Sequence, residues 1–250
     1  MNCNHPLPSQ IGSLKSLWQE AFGDSDTFLD GFWRTAFASQ RCLCISEEGE
    51  IVSALYWLDC EYVGKQIAYI YAVATAKAFR GKGYCHALMA DAHRILLENG
   101  YAAAVLVPGN ENLVRFYEEM GYRPCGGIHS FSTLAESPAA PLRAVTATEY
   151  GRLRRNYLPV GSIIQEGESL DFLETYAQLF AGEDFLLALY PDGDTAVGLE
   201  FLGNPHVAPG ILFALGYPQG FFRTSGTEPF ALWLPFEEMP TPTYLGLAFD

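Results

Sequence analysis

The sequence contains no long apolar segment and no leader pattern at its start. No window of its 250 residues approaches the roughly twenty consecutive apolar residues that a membrane-spanning helix needs. Residues 1–10 are polar, include two prolines and lack the basic stretch and apolar run of a secretory signal. We therefore expect a cytoplasmic protein that has no membrane partner.

Positive charge is also scarce. The chain has 15 Lys and Arg residues against 29 Asp and Glu residues, which gives a net charge of -14. This balance argues against binding to nucleic acid or to an anionic membrane surface. The deficit is uneven, because residues 136–250 contain no lysine and carry a formal charge of -10. This acidic half is either an ordinary solvated surface or a field that attracts a cationic amine.

Cysteine is present but forms no disulfide framework. The six cysteines show no such spacing, and a chain of this length can build its core without disulfides. Cys42 and Cys44 form a C-x-C pair, which is either half of a metal site or two residues of one strand. No second Cys or His pair accompanies them. The sequence therefore predicts strand residues at this point and no metal.

The first half of the chain predicts a mixture of helices and strands. Apolar residues in 9–22 have helical spacing, and Asp24 to Asp26 can cap a second helix that extends to Phe37. Apolar runs and glycine-containing turns predict further strands at 42–46, 51–58, 66–74 and 101–107, helices at 84–99 and 110–120, and an extended segment at 123–134. An opening strand is not evident, and residues 244–249 could supply one.

Pro138 and Pro141, with alanines between them, predict a linker, so we expect two domains at 1–137 and 138–250. For the second domain the patterns predict helices from Thr148 as cap to Tyr157, at 170–180 and at 211–215, and strands at 142–145, 185–190, 195–202, 221–225, 230–236 and 244–249. Gly121-Tyr122 recurs as Gly216-Tyr217 after a similar order of elements. This echo is either coincidence or a decayed duplication whose second copy has lost its glycine loop.

The chemically informative segment runs from Tyr71 to Cys85. A predicted strand enters a glycine loop at Arg80 to Gly83, and a helix follows. Such a turn presents backbone N–H groups at a helix N-terminus, where the helix dipole also favours a pyrophosphate. Glycine is needed because a side chain would block the phosphates. A P-loop nucleotide site is not predicted, because Gly83 is not followed by Lys and Ser or Thr.

This segment resembles motif A of the GNAT acetyltransferases, whose loop has the pattern Arg/Gln-x-x-Gly-x-Gly/Ala. Arg80 and Gly83 match, Cys85 stands where Gly or Ala is usual, and Lys77 stands where the family often has proline. Further along, Asn110, Tyr117 and the pair Gly121-Tyr122 resemble motif B, in which Asn-x6-Tyr precedes Gly-Tyr or Gly-Phe. The resemblance covers residues 9–134.

The resemblance implies an acyl-CoA N-acyltransferase fold, an α/β protein whose central, mostly antiparallel sheet is flanked by helices, followed here by a second α+β domain. It implies transfer of an acetyl group from acetyl-CoA to a small-molecule or peptide amine by direct attack. The cofactor-binding residues that it implies are the backbone of Val73, Ala74 and Thr75, the loop and helix start at Arg80, Gly81, Lys82, Gly83, Tyr84 and Cys85, and Asn110.

The resemblance also implies the catalytic roles. A free backbone N–H of the splayed strand would stabilise the oxyanion, and Tyr117 would protonate the departing thiolate. The alternative for Tyr117 is a core aromatic. The general base is not readable from the sequence: the candidates are Asp59, Glu61, Tyr69 and Tyr71, or a chain of waters. Cys85 and His86 are adjacent on one helix and diverge by about 100°, which argues against a nucleophile–base pair.

Two further expectations follow. The second domain would shape the acceptor pocket without binding cofactor, since it has no glycine loop and is strongly acidic. The rival to an enzyme is a module of this fold that binds acetyl-CoA as a sensor or scaffold without turnover.

Overall fold

The structure is a computed structural model that describes residues 2–249. These residues form two compact units, each made of segments that alternate along the chain. The first unit contains the chain up to Cys60, Gly64–Leu106 and Leu234–Met239. The second contains Glu61–Val63, Val107–Trp233 and the chain from Pro240 onward. The predicted domains, 1–137 and 138–250, are divisions of the sequence and stay a prediction.

The first half of the chain follows the predicted order of elements and adds a short opening strand. The elements are β1 (Cys3–Asn4), α1 (Ile11–Phe22), α2 (Asp26–Thr35), β2 (Cys42–Glu47), β3 (Glu50–Tyr62), β4 (Lys65–Thr75), α3 (Tyr84–Glu98) and β5 (Ala103–Leu106). Ser25 caps α2, because its side chain accepts a hydrogen bond from the Phe28 N–H at 3.2 Å. Gly100 follows α3 in the left-handed conformation, with φ of +82°, and turns the chain toward β5.

The sheet of the first unit has the order β1-β2-β3-β4-β5. β1 pairs antiparallel with β2, which supplies the opening strand that the sequence did not reveal. β4 pairs in parallel with β5, but only at Ala68–Ala104 and Tyr69–Val105. Helix α1 packs on β4, and α3 packs on β2, β4 and β5. β5 is buried along its whole length, as its uninterrupted apolar sequence predicts.

β4 contains one residue in an unusual backbone conformation. Ala72 has φ of +48°, in the left-handed region that residues with a Cβ rarely adopt. It lies three residues beyond Tyr69, the last residue of β4 that pairs with β5. We call this irregularity the Ala72 kink. It redirects β4 immediately before Val73, which is where the sequence analysis expected the strand to splay.

The second half departs from the prediction in several places, one of which is 244–249, where the predicted strand does not form. Its elements, with the two that precede it, are α4 (Glu111–Glu119), β6 (Arg123–Leu134), β7 (Arg143–Ala144), α5 (Ala147–Tyr157), β8 (Ile164–Gln165), α6 (Glu168–Leu173), β9 (Gln178–Ala181), β10 (Phe185–Asp192), β11 (Thr195–Gly203), α7 (Ala208–Leu215), β12 (Gln219–Ser225) and β13 (Glu228–Pro235). The cap of α5 is Thr146, not Thr148. The helix predicted at 170–180 was wrong over its second part, where β9 pairs with β10 instead.

The second unit has the strand order β13-β6-β12-β11-β10-β9-β7. Its last five strands repeat the arrangement of β1 to β5, with β11 and β12 in parallel where β4 and β5 are. The repeat pairs Gly216-Tyr217 with Gly100-Tyr101, because both pairs end a helix and enter the parallel strand. The N–H groups of Tyr101 and Tyr217 bond to carbonyls five residues earlier, each at 3.0 Å. The equivalence predicted with Gly121-Tyr122 was therefore wrong, although the order of elements is similar in the two halves.

The chain's last segment does not add a strand to the first unit. Among the described residues, 244–249 form one isolated bridge, from Tyr244 to Ser162 in the second unit. The later segment that does join the first unit is Leu234–Met239, where the Phe236 N–H donates to the Ala102 carbonyl at 2.9 Å. None of the helices in residues 2–249 has the length and apolar content that a membrane span requires.

A buried ion pair lies in the second unit, at a register shift in β11. The Glu200 carboxylate accepts two hydrogen bonds from the Arg154 guanidinium, at 2.7 and 2.8 Å, and both side chains are fully buried. The hydroxyl groups of Tyr150 and Tyr244 also donate to this carboxylate, at 3.0 and 3.1 Å. The network ties α5 and the segment around Tyr244 to β11.

We expect Glu200→Gln to lower the free energy of unfolding by about 3–5 kcal/mol, because it leaves the Arg154 charge buried without a counter-ion. Urea denaturation followed by tryptophan fluorescence measures this loss. The matched control is Glu166→Gln, whose partner Arg155 is about half exposed, and which should cost less than about 1 kcal/mol. Equal losses in the two variants would contradict a special role for the buried pair.

The Ala72 kink predicts an unusual order of stabilities. Ala72→Val should lower the free energy of unfolding by about 1–3 kcal/mol, because a β-branched side chain is strained in the left-handed region. Ala72→Gly should be at least as stable as the parent, since glycine adopts this conformation without strain. Thermal unfolding of the three proteins gives the comparison. A valine variant as stable as the glycine variant would show that residue 72 is not left-handed.

Candidate functional site

The kinked end of β4 carries three of the predicted cofactor-binding residues. Val73 and Thr75 are half-buried, and Ala74 is buried. The Ser53 hydroxyl donates to the Ala74 carbonyl at 2.9 Å and lies 2.8 Å from the Thr75 hydroxyl. These bonds hold the end of β4 against β3 beyond its pairing with β5. A carbonyl oxygen has two lone pairs, so the Ala74 carbonyl can accept a second hydrogen bond from a ligand.

The glycine loop is exposed from Arg80 to Gly83. Gly81 and Gly83 have φ of +74° and +83°, in the left-handed region. A Cβ added to either glycine would meet no atom within 4 Å, so the space above the loop backbone is open. The glycines therefore set the loop conformation and leave its N–H groups accessible to a ligand.

Helix α3 begins directly after this loop. Gly83 is its N-cap residue, and no side chain caps its first N–H groups. Such N–H groups and the positive end of the helix dipole favour an anion. The Arg80 Nε donates to the Thr75 carbonyl at 2.9 Å, which joins the loop to the end of β4. The structure thus brings together, within the first unit, the predicted residues Val73, Ala74, Thr75, Arg80, Gly81, Lys82, Gly83, Tyr84 and Cys85.

Cys85 lies in the first turn of α3 and is unsuited to covalent catalysis. Burial raises the pKa of its thiol to about 11, so the thiol stays protonated at neutral pH. His86 is exposed, and the helical rotation of about 100° per residue points it away from Cys85. Both observations agree with the expectation against a Cys85–His86 pair.

The second sequence motif lies on α4, in the second unit. Asn110 caps this helix, because its side-chain carbonyl accepts from the Leu113 N–H at 3.1 Å. Tyr117 is buried, and its ring lies 5.3 and 5.7 Å from the rings of Phe116 and Tyr122. The cap is a role of Asn110 that the sequence analysis did not assign. Cofactor binding by Asn110 and proton donation by Tyr117 stay predictions.

The candidate general bases of the first unit have structural partners. Asp59 forms an ion pair with Arg41 at 2.9 Å and accepts a hydrogen bond from the Tyr101 hydroxyl at 2.6 Å. Burial and that hydrogen bond raise the pKa of Tyr101. Tyr69 is buried and stacks on Tyr71, with ring centroids 6.0 Å apart. Because both partners fix the Asp59 carboxylate in place, this geometry favours a structural role for Asp59.

The described part of the second half, up to residue 249, has no comparable loop. Pro209 lies in the first turn of α7 and removes one of its N–H donors. The Ala140 N–H donates to the Gly210 carbonyl at 2.9 Å, and a Cβ on Gly210 would lie 2.8 Å from the Pro138 carbonyl oxygen. The start of α7 is therefore covered by the predicted linker, which leaves little room for a phosphate.

The C-x-C pair belongs to an ordinary strand. Cys42 and Cys44 are buried in β2, and burial raises the pKa of both thiols, that of Cys44 to about 11. Within residues 2–249, no group of three or more His, Cys, Asp and Glu side chains is arranged to hold a metal ion.

Two carboxylates beside the loop were missed by the sequence analysis. Glu20, on α1, accepts from the Lys77 N–H at 2.8 Å, and Glu47, at the end of β2, accepts from the Tyr84 hydroxyl at 2.9 Å. The hydrogen bond to Glu47 raises the pKa of Tyr84. Neither glutamate belongs to a recognisable motif, and both are distant from the loop in sequence. Only the fold reveals them.

Comparison with known proteins agrees with this geometry. Residues 8–125 match the family model of the acetyltransferase (GNAT) domain. No curated protein matches the chain significantly. Similar solved structures include GCN5-related N-acetyltransferases from Kribbella flavida (16% identity, TM-score 0.67) and Anabaena variabilis (15% identity, TM-score 0.69). Each of these matches covers 93% of this chain. The matched region is 71% of the Kribbella protein and 72% of the Anabaena protein.

Eis1 from Mycobacterium abscessus is also similar, with 10% identity, a TM-score of 0.64 and coverage of 92% of this chain and 66% of its own. Identities this low show the fold alone, and that fold extends over both halves of the chain. The α/β fold class predicted from the sequence is confirmed by these structures. The acyltransferase class is confirmed by the family-model match. The segment of the chain from residue 8 to residue 125 belongs to the GNAT acetyltransferase family.

Proposed function

We propose that this protein transfers an acetyl group from acetyl-CoA to an amine acceptor. The observation that carries the proposal is the continuous path from the Ala72 kink through the open glycine loop to the uncapped start of α3. A diphosphate fits the chemistry of this path, because the helix start offers N–H groups and Arg80 and Lys82 supply positive charge. The space above Gly81 and Gly83 is the space that a side chain would occupy.

The residues of β4 would hold the reacting end of the cosubstrate. Acetyl-CoA supplies an activated acetyl thioester. Backbone groups of Val73, Ala74 and Thr75 would bind its pantetheine arm as an added strand. One N–H of this segment would donate to the acetyl oxygen and stabilise the negative charge that develops there.

Tyr117 would supply the proton for the departing thiolate. A tyrosine with an ordinary pKa of about 10 stays protonated at neutral pH, whereas a free thiol has a pKa of about 8.5. Transfer of the proton from the phenol to the thiolate is uphill by about 1.5 pKa units, or about 2 kcal/mol, which is a small cost beside a reaction barrier. The acceptor amine must be neutral to attack. With Asp59 held by Arg41 and Tyr101, the candidates for removing its proton are Glu61, Tyr69, Tyr71 and a chain of waters.

The engagement of Asp59 also favours the second candidate, a module that binds acetyl-CoA without turnover. The two functions differ in one measurement. Release of free coenzyme A in the presence of a panel of small amines and peptide N-termini identifies an enzyme. Tight acetyl-CoA binding with no release above the rate in buffer identifies a binding module.

Gly83→Glu should abolish most acetyl-CoA binding, because its carboxylate would meet the phosphates and its Cβ would be strained at φ of +83°. Titration calorimetry measures the affinity. Gly64→Glu is a matched control, since Gly64 also has a positive φ and open space around it but lies in the turn between β3 and β4. Unchanged affinity in Gly83→Glu, or equal loss in both variants, would remove the loop from the site.

Tyr117→Phe should slow the chemical step about 10²–10⁴-fold while acetyl-CoA affinity stays nearly constant, because the ring still packs and only the proton donor is lost. Rapid-quench single-turnover experiments measure this rate. Tyr122→Phe provides the comparison, since Tyr122 is a buried tyrosine beside Tyr117 with no assigned role. A Tyr117→Phe rate within about twofold of the parent would make Tyr117 a packing residue.

A further inference from the structure

The conformation of the glycine loop is set by few contacts. Its residues from Arg80 to Gly83 are exposed, and nothing packs where Gly81 and Gly83 would carry side chains. An unligated loop with two glycines has many accessible conformations, and ordering it on binding costs free energy. A loop that binds a diphosphate through its N–H groups must therefore be held in shape by residues at its two ends.

At the exit of the loop, Tyr84 makes this connection. Its hydroxyl donates to the Glu47 carboxylate at 2.9 Å, and its ring meets the Phe79 ring edge-on, with centroids 5.8 Å apart. The Lys82 ammonium lies over the Phe79 ring, 4.8 Å from its centroid. The hydrogen bond therefore anchors the first residue of α3 and, through Phe79, the chain that precedes the glycines.

At the entrance, Glu20 accepts a hydrogen bond from the Lys77 backbone N–H at 2.8 Å. This donor exists because position 77 is not proline, which has no N–H. The Lys77 side chain is not needed for this bond. Glu20 thus ties the beginning of the loop to α1, as Glu47 ties its end to β2.

We propose that Glu20 and Glu47 are positioning residues that clamp the two ends of the loop in the conformation that binds the diphosphate of acetyl-CoA. The clamp consists of the Glu20–Lys77 and Glu47–Tyr84 hydrogen bonds, and it rests on the proposed function. Neither carboxylate touches the cosubstrate in this role. The clamp lowers the ordering cost of binding and leaves the acetyl-transfer step unaffected.

The charge of these residues makes the proposal sharply testable. A carboxylate near a bound diphosphate repels it, so simple Coulomb repulsion predicts that removing Glu47 strengthens acetyl-CoA binding. The clamp predicts the opposite sign. Tyr84→Phe changes no charge at all, and Glu47→Gln removes the charge but keeps an oxygen that accepts the hydrogen bond.

The experiment compares acetyl-CoA affinity by calorimetry, and kcat at saturating acetyl-CoA, in the full-length protein and its variants. We expect Glu47→Ala, Tyr84→Phe and Glu20→Ala each to weaken binding about fivefold, as the loss of one hydrogen bond of about 1 kcal/mol would. Glu47→Gln should stay within about twofold of the parent, and kcat should not change in the three glutamate variants. Glu50→Ala, which removes an exposed carboxylate from the same hairpin, is the charge-matched control.

Hydrogen exchange of the loop amides without ligand separates this proposal from the proposed function. Faster exchange at residues 78–86 in Glu47→Ala and Glu20→Ala than in the parent supports the clamp even if the protein binds no acetyl-CoA. A parent protein that does not bind acetyl-CoA would refute the proposed function. Equal or tighter binding by Glu47→Ala, with unchanged loop exchange, would overturn the clamp and leave the function standing.

Discussion

The parallel pairing of β4 with β5 lasts for only two residue pairs, and the candidate site depends on where it stops. β4 runs on from Tyr69 through the Ala72 kink to Thr75, held on its other side by Ser53 of β3. The kinked segment then leads within a few residues into the glycine loop. A single departure from regular strand pairing therefore places the proposed thioester and diphosphate contacts on one stretch of chain, at a fixed separation from each other.

Within the described residues, the second half has a similar strand order but no glycine loop, so its parallel strands can be compared with β4 and β5. β11 and β12 are parallel, as β4 and β5 are. β11 has a register shift next to Glu200, whose carboxylate forms the buried ion pair with Arg154. A carboxylate there is stable only because four hydrogen bonds satisfy it. The helix that follows begins with Pro209 and is covered by the linker. The second half thus uses the position for internal stabilisation.

Local sequence patterns predicted most of the first half because its elements are bounded by strong caps and turns, such as Ser25 and Gly100. They failed where tertiary pairing decides the structure. Residues 178–181 have an apolar pattern that suits a helix or a strand, and the neighbouring strand β10 selects the strand. β1 is only two residues long, which is too short to leave a periodic pattern. The Gly-Tyr echo was misassigned because helix ends of this type recur, and only the strand order identifies the equivalent one.

The candidate site also consists of residues close together in the sequence, which could be predicted, and of partners distant in the sequence, which could not. The glycine loop was found from sequence because its proposed role in binding a diphosphate requires glycines, a helix start and positive charge within six consecutive residues. The groups that hold this loop were not found, because Glu47 and Glu20 lie 37 and 57 residues away from their partners. Lys77 gave a weak indication of one of these contacts. The related pattern has proline at this position, whereas Lys77 has a backbone N–H, which donates to the Glu20 carboxylate. At Lys77 the departure from the family pattern thus accompanies a hydrogen bond whose partner only the tertiary structure identifies.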